Sequence, residues 1–463
     1  MSYKINHQPD TMIFRAYDIR GIVGSSIHAH DYYAIGRAFG QKVLKAGRHE
    51  VVVGQDVRLS SPEMFAATTA GLVDAGIQVI DVGRVPTPIL NYATKCIACD
   101  GLMITASHNP KEYNGIKLYM SGVPISSEDI QDILSTIQNN DFIEAKSQTK
   151  PIQNKTMIAR YITEMVQTIK VGRQLKVVVD AGNGAAALMV ESLYAAMGMQ
   201  VIPLYCEPDG HFPNHHPNPG DPENMVDLQA KVIETGADIG LAFDGDADRL
   251  GVVTPAGHII WPDQIMMFLS KHLLSLQPES KIIFDVKCED YLADHILEWG
   301  GQPVMWQTGH SKIRQKMLQS GAALAGEMSG HIFLPYFWYD FDDPFAAGAV
   351  LLQILAKSEV SLDELKSFIP VTYSTPEMLA YVDEARKFEI VEAFKTKLDY
   401  SEVEINTIDG VRIHFEDGWI ILRASNTSNA LTIRCSAVSE ARLNELLMQV
   451  RSKLHEIDPK INF

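Results

Sequence analysis

Short apolar runs that end in glycine or aspartate recur along the chain. Val51-Val52-Val53-Gly54 is followed by a polar turn, a helical pattern closing at Gly76, and a second apolar run from Ile77 to Val82. Lys176 to Asp180 starts the same series, which continues through Gly198 to Val201-Ile202-Pro203-Leu204. Lys281 to Asp285 starts it a third time, through Gly300 to Val304-Met305-Trp306. Short β-branched runs separated by helical stretches predict βαβ units with parallel strands. Ser60 or Ser61 is placed to cap the first helix, with Pro62 in its opening turn. Gly76, Gly198 and Gly300 stand where a helix ends on a left-handed residue.

Each unit leads into a further apolar run that stops at a polar loop. Leu102-Met103-Ile104 precedes Thr105-Ala-Ser-His-Asn-Pro110, Ile239 to Phe243 precedes Asp244-Gly-Asp-Ala-Asp-Arg249, and Ala322 to Ala325 precedes Gly326-Glu-Met-Ser-Gly-His331. Open α/β sheets bind ligands at such strand ends. Beyond about Phe368 the pattern changes. Val411 to Phe415, a turn at Asp417-Gly418 and Trp419 to Leu422 predict a hairpin, followed by a strand at Leu431 to Cys435 and a helix from about Glu440 to Leu454. The expected fold class is α/β: three related mixed α/β domains built on βαβ units, plus a smaller C-terminal α+β domain. Boundaries are expected at 1–152, 153–256, 257–368 and 369–463.

Composition narrows the function classes. With 463 residues, 46% hydrophobic and 21% charged, the chain has ample core-forming material. A formal net charge of −17 argues against nucleic-acid or anionic-membrane binding. An anionic substrate must therefore be held by a local cluster of Lys and Arg. No apolar signal segment and no spanning run is evident, and a cytoplasmic monomer is expected. The five cysteines, including the Cys96/Cys99 pair, suggest neither a disulfide framework nor a metal knuckle.

Asp244, Asp246 and Asp248 share a face if the segment is extended or looping. Three carboxylates so close raise one another's pKa unless a cation neutralises them. Oxygen ligands alone favour a hard ion such as Mg²⁺. An EF-hand is excluded, because Arg249 and Pro255 stand where Gly and Glu are required. Ser107, before His108, Asn109 and Pro110, reads locally more as a turn or cap residue than as a nucleophile. Arg423-Ala-Ser-Asn-Thr-Ser-Asn429 supplies a guanidinium with hydroxyl, amide and backbone donors suited to a phosphate dianion. In Glu327-Met-Ser-Gly-His331 a carboxylate and two further polar groups alternate, as a sugar-hydroxyl site would need.

Two competing signals remain. Lys176 to Asp180 followed by Gly182-Asn-Gly184-Ala-Ala-Ala187, with Glu207 beyond, matches a dinucleotide fingerprint and raises an NAD(P)-dependent oxidoreductase. The other two repeats lack such glycines, so a tight strand-to-helix turn is preferred. The histidines of His211 to His216 read as part of a long surface loop.

Taken together and in order, Phe14-Arg-Ala-Tyr-Asp-Ile-Arg-Gly21, the Ser107 loop, Asp244 to Arg249, Gly326 to His331 and Arg423-Ala-Ser-Asn-Thr427 resemble the α-D-phosphohexomutase superfamily. The likeness is closest to its bacterial phosphomannomutase/phosphoglucomutase branch and covers nearly the whole chain. It implies four domains around a central cleft, each contributing one loop. It further implies a phosphohexomutase that interconverts hexose 1-phosphate and hexose 6-phosphate, of mannose, glucose or both. Ser107 would carry the phosphoryl group and complete a Mg²⁺ shell with Asp244, Asp246 and Asp248. A hexose 1,6-bisphosphate would serve as intermediate and activator. Arg20, His108, Lys117 and Arg249 would surround the reacting oxygen. Glu327 and Ser329 would bind sugar hydroxyls, while Arg423, Ser425, Asn426 and Thr427 would hold the unreacting phosphate. Tyr17, Lys287, His310 and His331 would be further cleft contacts. A turning intermediate would require the C-terminal domain to move about a hinge near 366–370. A non-catalytic sugar-phosphate-binding protein stays the alternative.

Overall fold

The computed structural model describes residues 8–15, 17–97, 99–143, 150–397, 403–425 and 428–463. Its first three sheets share one topology. In each, the strand of the first apolar run is central, the second run lies parallel on one side, and the third lies parallel on the other. The triplets are Asp100–Ile104, Glu50–Gln55 and Gln78–Arg84; Ile239–Phe243, Lys176–Asp180 and Gln200–Leu204; and Leu324–Gly326, Lys281–Asp285 and Gln302–Trp306. The third run is then covered by an antiparallel return strand: Tyr113–Met120, Leu250–Val253 and Ile332–Phe333. Each polar loop is therefore the turn between a parallel strand and its return strand. It sits where the chain changes side of the sheet, the position at which α/β folds leave a crevice.

The strands are fully buried, as helices on both faces require. Val51, Val52, Val53, Val177, Val178, Val179, Ile282 and Ile283 are all at 0% exposure. The first crossover helix, Ser61–Asp74, carries Pro62 in its first turn as expected. Ser60 does stand at its N-cap, but its side chain makes no capping hydrogen bond. The Ser61 hydroxyl donates to Asp56 instead, and Ser60 accepts from the Asn114 amide. In the second repeat the crossover is shorter than expected. A 3₁₀ turn at Ala185–Leu188 precedes a helix of only Val190–Ala196. Gly76, Gly198 and Gly300 do end their helices at positive φ.

The C-terminal domain is an antiparallel sheet with Val411–Phe415, Gly418–Ala424 and Ala430–Ala437 at its centre, backed by the helix Glu440–Ile457. Its core is separate, whereas one continuous apolar core joins elements of the first three domains. The junction between those three is partly polar. The Glu164 carboxylate accepts from the Tyr92 and Tyr339 hydroxyls, and Asp343 accepts from Tyr161. Ile369 is still packed in the shared core, while Val371 is 82% exposed, so the chain leaves the third domain between them. The fourth domain then docks through side chains. Arg412, stacked on Trp419, donates to the carbonyls of Val286 and Cys288, and Arg434 donates to that of Lys287. No single helix among the described residues is long and apolar enough to cross a membrane.

Candidate active site

The Ser107 and Asp244 loops meet at the seam between the first two domains. Ser107 is 1% exposed, and its Oγ donates to Asp244 Oδ2 at 2.8 Å. A Cβ at Gly245 would overlap the Ser107 carbonyl, which is why glycine follows Asp244. Ser107 itself takes the left-handed backbone (φ 52°), a conformation that costs a non-glycine residue on the order of 1 kcal/mol. The opposing grip is larger. The Arg58 guanidinium donates to the carbonyls of Ser107, Asn109, Pro110 and Tyr113 at 2.6–3.1 Å. Hydrogen bonds to a charged group contribute about 1.5–3 kcal/mol each, so the strained serine is held by a wide margin. From the other side Arg20 donates to Asn109 Oδ1 at 2.6 Å and pairs with Asp18 at 2.6 Å.

The three aspartates converge as their spacing predicts for a turn, with an oxygen of each within 4.8 Å of the others. Lys117, on the return strand of the first domain, reaches Asp246 at 2.6 Å and Asp248 at 2.5 Å. Thr87 Oγ1 also donates to Asp246, at 2.6 Å. Burial, then Asp248 and Asp246, push the Asp244 carboxyl up to about 8. Burial acts the same way on Asp248, but Lys117 outweighs it and holds that carboxyl well below its usual range. Lys117 is likewise kept charged against burial by Asp246 and Asp248. Asp246 Oδ1 and Asp248 Oδ1 are buried with no hydrogen-bond partner. Among the described residues His331 approaches Asp248 Oδ1 to 3.7 Å, beyond hydrogen-bond range. Buried carboxylate oxygens without hydrogen bonds are costly, and a hard divalent ion relieves that cost. The donor set fits such an ion.

His108 Nδ1 lies 3.3 Å from Ser107 Oγ. Burial, then Arg249 and Arg20, lower its pKa well below 6.5, so the ring is neutral. Arg249 Nε is 3.2 Å from His331 Nε2, which makes that nitrogen the acceptor. His331 Nδ1 then donates to Asp342 at 2.9 Å. His310 stacks on His331 with ring centroids 5.1 Å apart, and burial followed by His331 lowers its pKa to about 4.

Across the cleft the groups are paired differently. Glu327, 2% exposed, accepts from the Gly309 amide and from Ser329 Oγ at 3.4 Å. Burial raises its pKa. Gly309 sits at φ 131°, and a Cβ there would come within 2.8 Å of Tyr17 Oη, so the position favours glycine. Lys287 reaches the Glu377 carboxylate, in the fourth domain, at 2.6 Å. Arg423 Nε meets Asp409 at 3.0 Å, while its Nη2 is buried without a hydrogen-bond partner among the described residues. Asp409 also accepts from the Thr308 amide at 3.0 Å. The Ser425 carbonyl accepts from Lys387 at 2.8 Å, and its hydroxyl contacts Ser428 at 2.9 Å. Asn426 and Thr427 lie outside the described residues.

The structure thus gathers Ser107, His108, Lys117, Arg20, Arg249 and the three aspartates at one end of the cleft. Tyr17, Lys287, His310, Glu327, Ser329, His331, Arg423 and Ser425 fall on its third- and fourth-domain side. Sequence reasoning missed Arg58, Thr87, Asp409 and Glu377. Arg58 had one faint signal, the Gln55-Asp56-Val57-Arg58 turn at the end of a buried strand. The Gly182 loop is the tight strand-to-helix turn preferred over a dinucleotide cradle. Its Ala185 amide donates to the Gly245 carbonyl at 2.9 Å, and a Cβ at Gly184 would lie 2.9 Å from the same oxygen. Its glycines allow close approach to the aspartate loop. The histidine segment 211–216 is more than a surface loop, since Phe212 covers Arg58 at 5.3 Å and His215 meets Asp180 at 3.0 Å.

Comparison with known proteins agrees along the whole chain. Family models for phosphoglucomutase/phosphomannomutase α/β/α domains I, II and III match residues 11–144, 159–257 and 261–372, and that for the C-terminal domain matches 377–453. The chain is 48% identical over 454 residues to a phosphomannomutase/phosphoglucomutase of Pseudomonas putida, covering 98% of this chain and 97% of that protein. It is 41% identical over 453 residues to a phosphoglucomutase of Neisseria meningitidis, covering 97% and 98%. A crystal structure of a phosphoglucomutase/phosphomannomutase family protein from Burkholderia thailandensis, 40% identical, matches with a TM-score of 0.91 over 98% of this chain and 99% of that one.

Proposed function

The chain belongs to the phosphoglucomutase/phosphomannomutase family of α-D-phosphohexomutases and is a hexose-phosphate mutase; from that premise we propose that Ser107 carries the transferred phosphoryl group. The observation that supports this is the Ser107 hydroxyl, 2.8 Å from Asp244 and beside Asp246 and Asp248 oxygens that are buried without a hydrogen-bond partner among the described residues. Asp244, Asp246 and Asp248 would hold Mg²⁺, which neutralises charge on the phosphoryl oxygens when bound.

The remaining work falls to the protein's own groups. Phosphoryl transfer needs in-line placement and charge neutralisation more than covalent help. Ser107 passes its phosphoryl group to the free hydroxyl of a hexose monophosphate, giving the 1,6-bisphosphate. The proton of that hydroxyl goes to a protein group, and Ser107 Oγ takes one up as its bond to phosphorus breaks. Neutral His108, 3.3 Å from Ser107 Oγ, can accept, while Lys117 and Arg20 stay charged and supply positive field. The bisphosphate turns and returns its other phosphoryl group to Ser107, so the enzyme ends as it began. Arg249 orders His331 beside the aspartates. Glu327 and Ser329 take the sugar hydroxyls, with Tyr17, Lys287 and His310 around them. Arg423, Ser425, Asn426 and Thr427 hold the idle phosphate.

In this reading the domains, divided near 152/153, 256/257 and 368/369, each contribute one loop, and the fourth moves as the chain flexes beyond Ile369. The enzyme acts as a cytoplasmic monomer. The relatives' names point to glucose and mannose phosphates as substrates. A coupled assay with mannose 1-phosphate and glucose 1-phosphate, run with the matching bisphosphate and Mg²⁺, tests this. Both substrates are expected to turn over. Turnover of neither would contradict the reading.

A further inference from the structure

Arg58 is the most heavily committed side chain near the site, yet it touches neither the aspartates nor any cleft-facing group. It is 1% exposed and ion-paired with Asp56 at 3.2 Å. Four loop carbonyls converge on its two terminal nitrogens, spanning Ser107 to Tyr113. In a trans peptide the carbonyl and the following N–H point in opposite directions. Gathering the Ser107 and Pro110 carbonyls onto one guanidinium therefore turns the His108 and Lys111 amides away from it. The same contacts stabilise the left-handed backbone at Ser107, from which its Oγ reaches Asp244.

The second domain closes over this arginine. Phe212, itself at positive φ, lies over the guanidinium at 5.3 Å. Gly210 is packed so tightly that a Cβ would come within 2.6 Å of the Val57 carbonyl. The histidine-bearing loop thus acquires a purpose that its composition did not reveal. It seals a buried cation against the underside of the serine loop, on the domain that also carries the aspartates.

We propose that Arg58 is a positioning residue for the mutase reaction: through four backbone carbonyls it sets Ser107 in line for phosphoryl transfer, and Phe212 keeps it dry. The proposal rests on Ser107 being the phosphoryl carrier. A lysine cannot reproduce the effect, because an ammonium lacks the planar fork that meets several carbonyls at once.

The test is Arg58→Lys, with Asp56→Asn as a second variant that leaves the guanidinium but removes its counter-charge. Each enzyme is loaded with radiolabelled glucose 1,6-bisphosphate to count phosphorylated sites. Turnover of glucose 1-phosphate is then expressed per labelled site. Misplacing a reacting group by an ångström costs about 100-fold. In Arg58→Lys, kcat per labelled site is expected to fall about 100-fold while KM stays within about twofold. Asp56→Asn is expected to lose about 10-fold in the same quantity. If the variants show fewer labelled sites but normal kcat per site, Arg58 merely supports folding and the proposal is overturned. A wild-type enzyme that accepts no label would overturn the phosphoserine reading itself, an outcome distinct from the first.

Discussion

The two ends of the cleft are built on opposite plans. At the serine end, Ser107, Lys117, Asp244, Asp246 and Asp248 are all nearly inaccessible and locked together by contacts of 2.5–2.8 Å across the seam of two domains that share a core. At the end proposed to bind sugar the cations are paired with more accessible carboxylates. Lys287 is held by Glu377, whose side chain is 42% exposed, and Arg423 by Asp409, whose side chain is 14% exposed. One end is rigid because charge must be met by groups already in place when the phosphoryl group moves. Under the proposed function the other end would exchange partners, as recognition of either end of a bisphosphate would demand. The fourth domain docks through arginine–carbonyl contacts and a small apolar cluster of Val286, Trp419 and Ile421, outside the core the first three domains share, which would suit that exchange.

Substitutions should separate the two ends by the kinetic constant they move. The largest effect is expected for Ser107→Ala, which should lower kcat by about 10⁴-fold or more with an unchanged thermal midpoint, read by coupled assay and calorimetry. Substantial residual turnover would erase the distinction. Lys117→Met leaves Asp246 and Asp248 without their counter-charge. It is expected to cut kcat by about 100-fold or more, with a smaller change in KM. At the sugar end, Arg423→Gln should act mainly on KM, raising it by about 10-fold to 100-fold, since removing one charged hydrogen-bonding partner costs about 1.5–3 kcal/mol. A kcat effect as large as that of Lys117→Met would show that the ends are not functionally distinct.

The smallest effect concerns the loop that covers the serine end. Burial opposes charge on His215, but its hydrogen bond and ion pair with Asp180 outweigh it and raise the pKa above 6.5. A raised histidine pKa stabilises the fold fully below the unfolded value of about 6.5 and ceases to do so as pH rises through the folded value. The stability difference between wild type and His215→Gln should therefore shrink as pH rises from about 6 to 8, followed by urea denaturation. A difference that grows over that range would contradict the assignment.

How much was legible in the sequence also divides along this line. The threefold repeat was readable because parallel strands buried on both faces must be apolar throughout. The aspartates were readable because alternate residues in a turn share a face whatever surrounds them. Arg58, Thr87, Asp409 and Glu377 were not. Each acts on a loop from another part of the sheet or another domain, and nothing local in sequence encodes such a pairing. The same holds for the serines at 60 and 61. They have the chemistry of caps, yet Asp56 and Asn114, brought alongside by the sheet, compete for them successfully. The Gly182 loop could match a dinucleotide fingerprint for a related reason, since a glycine that admits a neighbouring backbone looks in sequence like one that admits a pyrophosphate.

The most direct test of the central claim is a rapid-quench chase. Enzyme labelled with radioactive phosphate from glucose 1,6-bisphosphate is mixed with unlabelled glucose 1-phosphate and Mg²⁺, and the label is mapped and timed. The account predicts that the label sits on Ser107 and leaves for sugar at least as fast as kcat. Label on another residue, or a chase slower than turnover, would contradict it.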